Sequence, residues 1–552
     1  MTSLVFYNLT GFKQGGLIIR YDPHSYRYPS RRSLVYGSRG MVSTSHPLAA
    51  QAGLEVLKQG GNAVDAAIAA AAALTVVQPT ANGLGSDVFA IIWKDGKLHG
   101  LNGSGPAPAA RSIEGFRSRG MSVIPKYGWD AVNVPAAPAA WAELSGKLGR
   151  LPLGQALAPA VAYAREGHAV SVGVSYWCRE DCCKYAPLLG DEFAPWAEVF
   201  CPSGRPPLPG ELFKAPGHAR TLERIGATNA RSFYEGEIAE RILAFSRKTG
   251  GSFSEDDLVS FRPEWVEPIS VNYRGYDVWE IPPNGQGIIA LMALGVLRGF
   301  DFSHHDDPEG LHRQIEAIKL GFADARRYVA DQRCAPVPVA ELLSDSYASR
   351  RRGLITDEAQ DFRVGDPYCG GTVYLCAADG EGCMVSFIQS NYMGFGSFVV
   401  VPETGIALNN RGTGFSLDPS HPNALAPRKR PYHTIIPGFL TKDGEPLGPF
   451  GVMGGYMQPQ GHVQVVMNMA DFGMNPQEAI DAPRWQWMGG MNVEVEPGFA
   501  PNAAQSLARM GHAVKPALTP FSFGRGEMIL RTPHGTLAGA TEPRADGCVA
   551  AW

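Results

Sequence analysis

Near Pro367 the sequence changes texture, and that change limits the architecture more than any other feature. Before it, from Ala137 to about Ala330, apolar residues mainly follow helical spacing, as in Pro159–Arg165 and Ile238–Arg247. After it come two strand-like runs, Thr372–Ala378 and Cys383–Gln389, around the turn Asp379-Gly380-Glu381-Gly382. Further strand-like stretches follow at Gly405–Leu408, Thr434–Leu440, His462–Met467, Val493–Val495 and Glu527–Arg531. Helix-rich first and strand-rich later, the chain reads as a layered α+β fold. Gly 65 and Pro 43 supply the many tight turns that such a fold needs.

The start of the regular structure is the most sharply marked. The first 39 residues read as an irregular extension rich in Tyr, Arg, Pro and Ser. Pro47 then suits a first helical position behind Ser45 or His46, with helical spacing over Leu48–Lys58. Gly60-Gly61 stops that helix. Asn62 caps the next, Ala63–Val77, with Asp65 three residues on, and Pro79 ends it. Val88–Trp93 and Leu98–Leu101 around Lys94-Asp95-Gly96-Lys97 read as a β-hairpin.

Charge argues against a nucleic-acid partner: 49 Lys+Arg face 53 Asp+Glu, a net −4 without a basic surface. The longest apolar stretch, Ala66–Leu74, is far short of a membrane span. No basic start followed by an unbroken apolar core marks a secretory signal, and the nine cysteines are an odd set that reads as free thiols. Both point to a cytoplasmic protein.

Common catalytic signatures are missing: there is no P-loop, no G-x-G-x-x-G, no H-E-x-x-H and no G-x-S-x-G. His304-His305-Asp306-Asp307 fits a helix-capping turn between Ser303 and Pro308 better than a metal site. Cys178, Cys182 and Cys183 lack a second ligand pair at zinc spacing. Neither a metal nor a cofactor is expected.

Gly370-Gly371-Thr372 heads the first strand of the C-terminal third. It reads either as an ordinary turn or as a self-cleavage site. In the second case the Gly371–Thr372 peptide is cut by the threonine hydroxyl, and Thr372 gains a free amine that serves as base for its own Oγ. A four-residue hairpin loop places Thr372 opposite Gln389, and a three-residue loop places it opposite Ser390. Both put the Ser390 hydroxyl beside it. Met453-Gly454-Gly455-Tyr456 is either a plain turn or a nest of N–H donors for a developing oxyanion.

Ordered segments tie these features together: G-M-V-S-T-S-H-P-L-A (40–49), G-G-N-A-V-D-A-A (60–67), L-A-P-A-V-A-Y-A-R-E-G (157–167) and F-Y-E-G-E-I-A (233–239). They continue with Y-R-G-Y-D-V (273–278), G-T-V-Y-L-C-A-A-D (371–379), G-I-A-L-N-N-R (405–411), K-R-P-Y-H-T (429–434) and G-G-Y-M-Q-P-Q (454–460). From about Gly40 onward the chain resembles the γ-glutamyltransferase (glutathione hydrolase) family of N-terminal nucleophile hydrolases. The resemblance implies a four-layer αββα sandwich made as a proenzyme. Self-cleavage would then give a large subunit, 40–371, and a nucleophile-bearing small subunit, 372–552, held as a heterodimer. A dimer of heterodimers stays open. By position the resemblance makes Thr372 the nucleophile, Ser390 its hydroxyl partner and Gly454 and Gly455 the oxyanion glycines.

The substrate positions of the family fall on Ser104, Tyr392, Arg411, Gly414, His433 and Thr434, and several depart from its pattern. Ser104 replaces the arginine that grips an α-carboxylate, Gly414 replaces the aspartate that grips an α-amino group, and His433-Thr434 replaces a serine pair. Losing both charged anchors removes charge-assisted bonds of about 1.5–3 kcal/mol each. Arg411 is either a substitute anchor for an acidic group or the partner of a local carboxylate. The pattern resembles the acylase and amidohydrolase branch, which implies an amidohydrolase of a small anionic, glutaryl- or oxamate-like amide. The alternatives are a true γ-glutamyltransferase with rearranged anchors and an uncleaved, inactive binding relative.

Overall fold

The computed structural model describes residues 32–362 and 371–552. Gly370, Cys369, Pro367 and the extension up to residue 31 lie outside the described residues. The remainder, Arg32–Trp552, is one compact unit.

Two seven-stranded antiparallel sheets stack face to face. In spatial order the first contains Cys548–Ala551, Gly40–Thr44, Gly371–Asp379, Met384–Tyr392, Asp87–Lys94, Lys97–Gly103 and Glu264–Val266. The second contains Val35–Gly37, Leu537–Ala540, Arg525–Arg531, Glu445–Met453, Gly438–Lys442, Tyr276–Glu280 and Ile269–Tyr273. Between them the Tyr374 ring of the first sheet lies against Gly451 of the second, where a Cβ would come within 2.5 Å of the ring. Helices Pro47–Lys58 and Ala63–Val77 cover the outer face of the first sheet, and Gly287–Leu297 and Met457–Ala470 cover that of the second. The chain is an αββα sandwich.

Local chemistry explains the best-read elements. Asn62 accepts hydrogen bonds from the Val64 and Asp65 amides, and Asp65 accepts one from the Asn62 amide in return, a capping box. Every residue of Ala63–Val77 is buried, and alanine lets the helix lie close to the sheet and to its neighbours. His46 caps the preceding helix through Nδ1, 3.2 Å from the Leu48 amide. Asp307 caps Pro308–Tyr328, so the His304–Asp307 segment is the capping turn that its flanks imply.

Three elements differ from expectation. His462–Met467, read as a strand, lies inside helix Met457–Ala470. Ile269–Tyr273 and Tyr276–Glu280 form a hairpin within the stretch read as mainly helical. Part of the N-terminal extension, Val35–Gly37, pairs with Leu537–Ala540 as an edge strand.

Candidate active site

The central hairpin delivers the nucleophile candidate. Ala378 pairs with Met384 and Val373 with Gln389, the register of a three-residue Gly380–Gly382 loop. Gly382 has a positive φ of 94°, and Asp379 Oδ1 accepts from the Glu381 and Cys383 amides across the turn. The register shifts at the other end, where Gly371 pairs with Tyr392, so Thr372 sits in a bulge. Tyr392 closes that bulge at φ 85°, a costly conformation for an aromatic residue and one that clusters at functional sites.

In the bulge three groups form a hydrogen-bonded chain. Thr372 Oγ1 donates to Ser390 Oγ at 3.2 Å, and Ser390 Oγ donates to the Gly371 carbonyl oxygen at 2.8 Å. The Tyr392 amide donates to the same serine oxygen at 2.8 Å, which fixes its orientation. Thr372 and Ser390 are both buried. Glycine is needed at 371 because a Cβ would lie 2.7 Å from the Gly394 nitrogen.

The second glycine feature ends strand Glu445–Met453. Gly454 has φ 135° and Gly455 φ 59°. Their carbonyls are tied: the Met457 amide donates to Gly454 O at 3.0 Å, and Gln286 Nε2 donates to Gly455 O at 2.9 Å. The first bond sets the plane of the peptide that carries the Gly455 N–H, and the second sets that of the peptide that carries the Tyr456 N–H.

Beyond Tyr392 the site becomes charged. The Arg411 guanidinium stacks 4.3 Å over the Tyr392 ring and donates from Nη1 to Thr434 Oγ1 at 2.8 Å. Its Nε is 3.4 Å from Asp87 Oδ2, but among the described residues neither Nε nor Nη2 has a hydrogen-bond partner, although the residue is 1 % exposed. Burial lowers the Arg411 pKa and the Asp87 charge opposes that shift. Asp87 also accepts from His433 Nε2 at 2.9 Å and from the Gly105 amide at 2.8 Å. Burial, with Arg411 nearby, pushes His433 down to about 4. The imidazole is therefore neutral, donating to Asp87 while Nδ1 accepts from the Ile435 amide at 3.3 Å.

The two ends form one connected chain of contacts. Ser390 links to Tyr392, Tyr392 to Arg411, Arg411 to Thr434, and Gln286 Nε2 joins the Thr434 carbonyl (2.7 Å) to that of Gly455. The sequence-predicted residues Thr372, Ser390, Tyr392, Arg411, His433, Thr434 and Gly455 thus share one network, with Gly454 adjoining. Ser104 lies behind it, its hydroxyl held by Asn102 Oδ1 (2.7 Å) and by Asn284 Nδ2 (3.2 Å). Gly414 lies to one side, near the Tyr432 carbonyl and bound through its own carbonyl to Asn423.

Sequence reasoning missed Asp87, Gln286 and Tyr432, whose hydroxyl donates to Gln286 Oε1 at 3.0 Å. Asp87 had a readable signal, an acid heading an apolar strand. Gln286 had none.

The sequence matches the Gamma-glutamyltranspeptidase family over residues 49–552. Cephalosporin acylase from Bacillus halodurans is 56% identical in a superposition that covers 97% of this chain and 99% of that one, with a TM-score of 0.94. The Glutathione hydrolase-like YwrD proenzyme of Bacillus subtilis (strain 168) is 37% identical over 93% of this chain and 98% of its own. The Oxamate amidohydrolase proenzyme of Klebsiella pneumoniae is 33% identical over 93% and 99%.

Proposed function

Because the chain belongs to the γ-glutamyltranspeptidase family, and its relatives include proteins named as proenzymes, we propose that it is a self-processing threonine amidohydrolase of small anionic amides. The observation that carries this reading is the chain Thr372 Oγ1–Ser390 Oγ–Gly371 O.

Maturation starts there. Ser390 polarises the Gly371 carbonyl by donating to its oxygen and receives the Thr372 hydroxyl hydrogen bond at the same atom. Thr372 Oγ attacks the Gly371 carbonyl carbon, the C–N bond breaks, and the acyl group moves to oxygen. Water then hydrolyses that ester, freeing a large subunit that ends at Gly371 and the Thr372 amine.

Turnover repeats the attack on a substrate amide. The Thr372 amine takes the Oγ proton and passes it to the leaving nitrogen, and the Gly454 and Gly455 amides receive the oxyanion. Water resolves the acyl-enzyme. Arg411 holds an acidic group of the acyl half through Nη2, a buried charged donor with no hydrogen-bond partner among the described residues. His433, neutral and turned toward Asp87, orients that carboxylate and adds no positive charge of its own.

Mass spectrometry of the mature protein tests the first half. Two chains of about 40 and 19 kDa are expected from their lengths, the smaller beginning Thr-Val-Tyr-Leu. Active material that remains one chain would overturn the mechanism. Glutaryl, oxamate and γ-glutamyl amides compared side by side test the second half. The glutathione hydrolase-like relative makes the γ-glutamyl arm the direct competitor, and faster turnover there would replace the anionic-amide reading.

A further inference from the structure

The cysteine cluster has a definite arrangement that catalysis does not use. Helix Val172–Tyr185 carries Cys178, Cys182 and Cys183, and Cys201 follows helix Ala194–Phe200 as its C-cap. The Sγ atoms of Cys182 and Cys201 lie 3.3 Å apart, in S–H···S contact. Cys178 is buried, and that burial pushes its thiol up, while Cys183 faces solvent.

The contact is held in place by its surroundings. Tyr185, three residues after Cys182, stacks on Trp196 with ring centroids 4.4 Å apart, and its hydroxyl donates to the Phe193 carbonyl at 3.2 Å. Trp196 packs in turn on Phe395 and Phe398. The two helices are therefore pinned together beside the sulfurs, which need to approach by only about 1.3 Å to reach disulfide length.

We propose that Cys182 and Cys201 form a reversible disulfide site, closed by an oxidant of the peroxide class and reopened by thiol reductants. The Cys201 thiolate attacks one peroxide oxygen and breaks the O–O bond, which leaves a sulfenic acid and, after protonation, one water. Cys182 sulfur then attacks that sulfur. The S–S bond forms, the S–O bond breaks, and the departing hydroxide takes the Cys182 proton as a second water. Two thiols lose two electrons and the peroxide gains them. The S–H···S contact with Cys182 holds the Cys201 thiol below its ordinary value, in keeping with its place as first attacker.

The position gives the bond a route to the active site. Asp181, next to Cys182, lies with its carboxylate against Gly394, within 2.8 Å of where a Cβ would stand, and Gly394 lies against Gly371. Oxidation would thus tether the helix that backs the self-cleaving peptide.

The test treats the purified protein with hydrogen peroxide, alkylates the remaining thiols and digests with trypsin without reductant. Cleavage after Lys184 separates the two thiols. The expected product joins the peptide holding Cys182 to the peptide holding Cys201, two hydrogens lighter than their sum, and it disappears on reduction. It persists in Cys178→Ser and Cys183→Ser and is lost in Cys182→Ser and Cys201→Ser, each with a wild-type circular dichroism spectrum. Oxidation that stops at sulfinic or sulfonic acids with no 182–201 linkage would overturn the proposal, and so would a linkage made through Cys183.

Discussion

The two ends of the candidate site are built in opposite ways. At the Thr372 end the described residues that make the hydrogen-bonded chain carry no charge: a bulge, the Ser390 hydroxyl and two positive-φ glycines surround the proposed nucleophile. At the Arg411 end the positioning is done by charge, with Asp87 buried between an arginine and a neutral histidine. On the proposed mechanism, a reaction centre built from two hydroxyls and backbone amides acts on any amide placed before it. Selectivity therefore has to come from the charged end, and the two can be altered separately.

Thr372→Ala gives the largest expected effect, removing both maturation and turnover for every substrate. Denaturing electrophoresis would show a single full-length chain. A variant that still matured would place the nucleophile elsewhere. Next comes Gly454→Ala, which forces a side chain into φ 135° with Gly524 Cα 3.0 Å from the new Cβ. A loss of about 10²–10³ in kcat is expected, the scale of one oxyanion donor, and equal for neutral and anionic amides. Arg411→Met should act at the other end only. It lowers kcat/KM for an anionic amide about 10- to 100-fold, the worth of one charge-assisted bond, and leaves a neutral amide nearly unchanged. Equal losses on both substrates would merge the two ends into one.

Acid stability should change as well. Burial holds His433 and His218 down at about 4, and His46, His462 and His512 at about 3. Their folded pKa values lie below the unfolded 6.5, so the unfolded chain takes up protons first as pH falls. The stability that these neutral rings contribute is complete above pH 6.5 and is lost from there down toward pH 3–4. Each ring costs about 1.4 kcal/mol per pH unit in that window. Thermal melts from pH 7.5 to 4.5 check this; a flat Tm would show that the rings are not neutral and buried.

Sequence alone revealed those elements whose ends carry their own chemistry. Asn62 with Asp65, Pro47, Asp307 and the Asp379–Gly382 turn each announce a boundary by side-chain hydrogen bonds or required φ. Helix Met457–Ala470 announces none. It is buried nearly all round, so no polar face sets a 3.6-residue period, and Val463, Val465 and Val466 read as strand. Its glutamines do the locating instead: Gln460 and Gln464 bond the backbones at Trp487 and Trp485, partners more than twenty residues away. The same holds in the candidate site. Gly371, Thr372 and the Gly-Gly pair were visible because their pattern is local, whereas the bridge through Gln286 exists only after folding.

The strand order has a consequence for what self-cleavage can release. Gly40–Thr44 lies between Gly371–Asp379 and Cys548–Ala551, and the Trp552 carbonyl accepts from the Ser38 and Arg39 amides. A cut between 371 and 372 therefore severs the covalent thread while leaving the pieces woven, each gripping the other along whole ladders. The fragments should co-purify through a tag on either one and part only when the weave itself is melted.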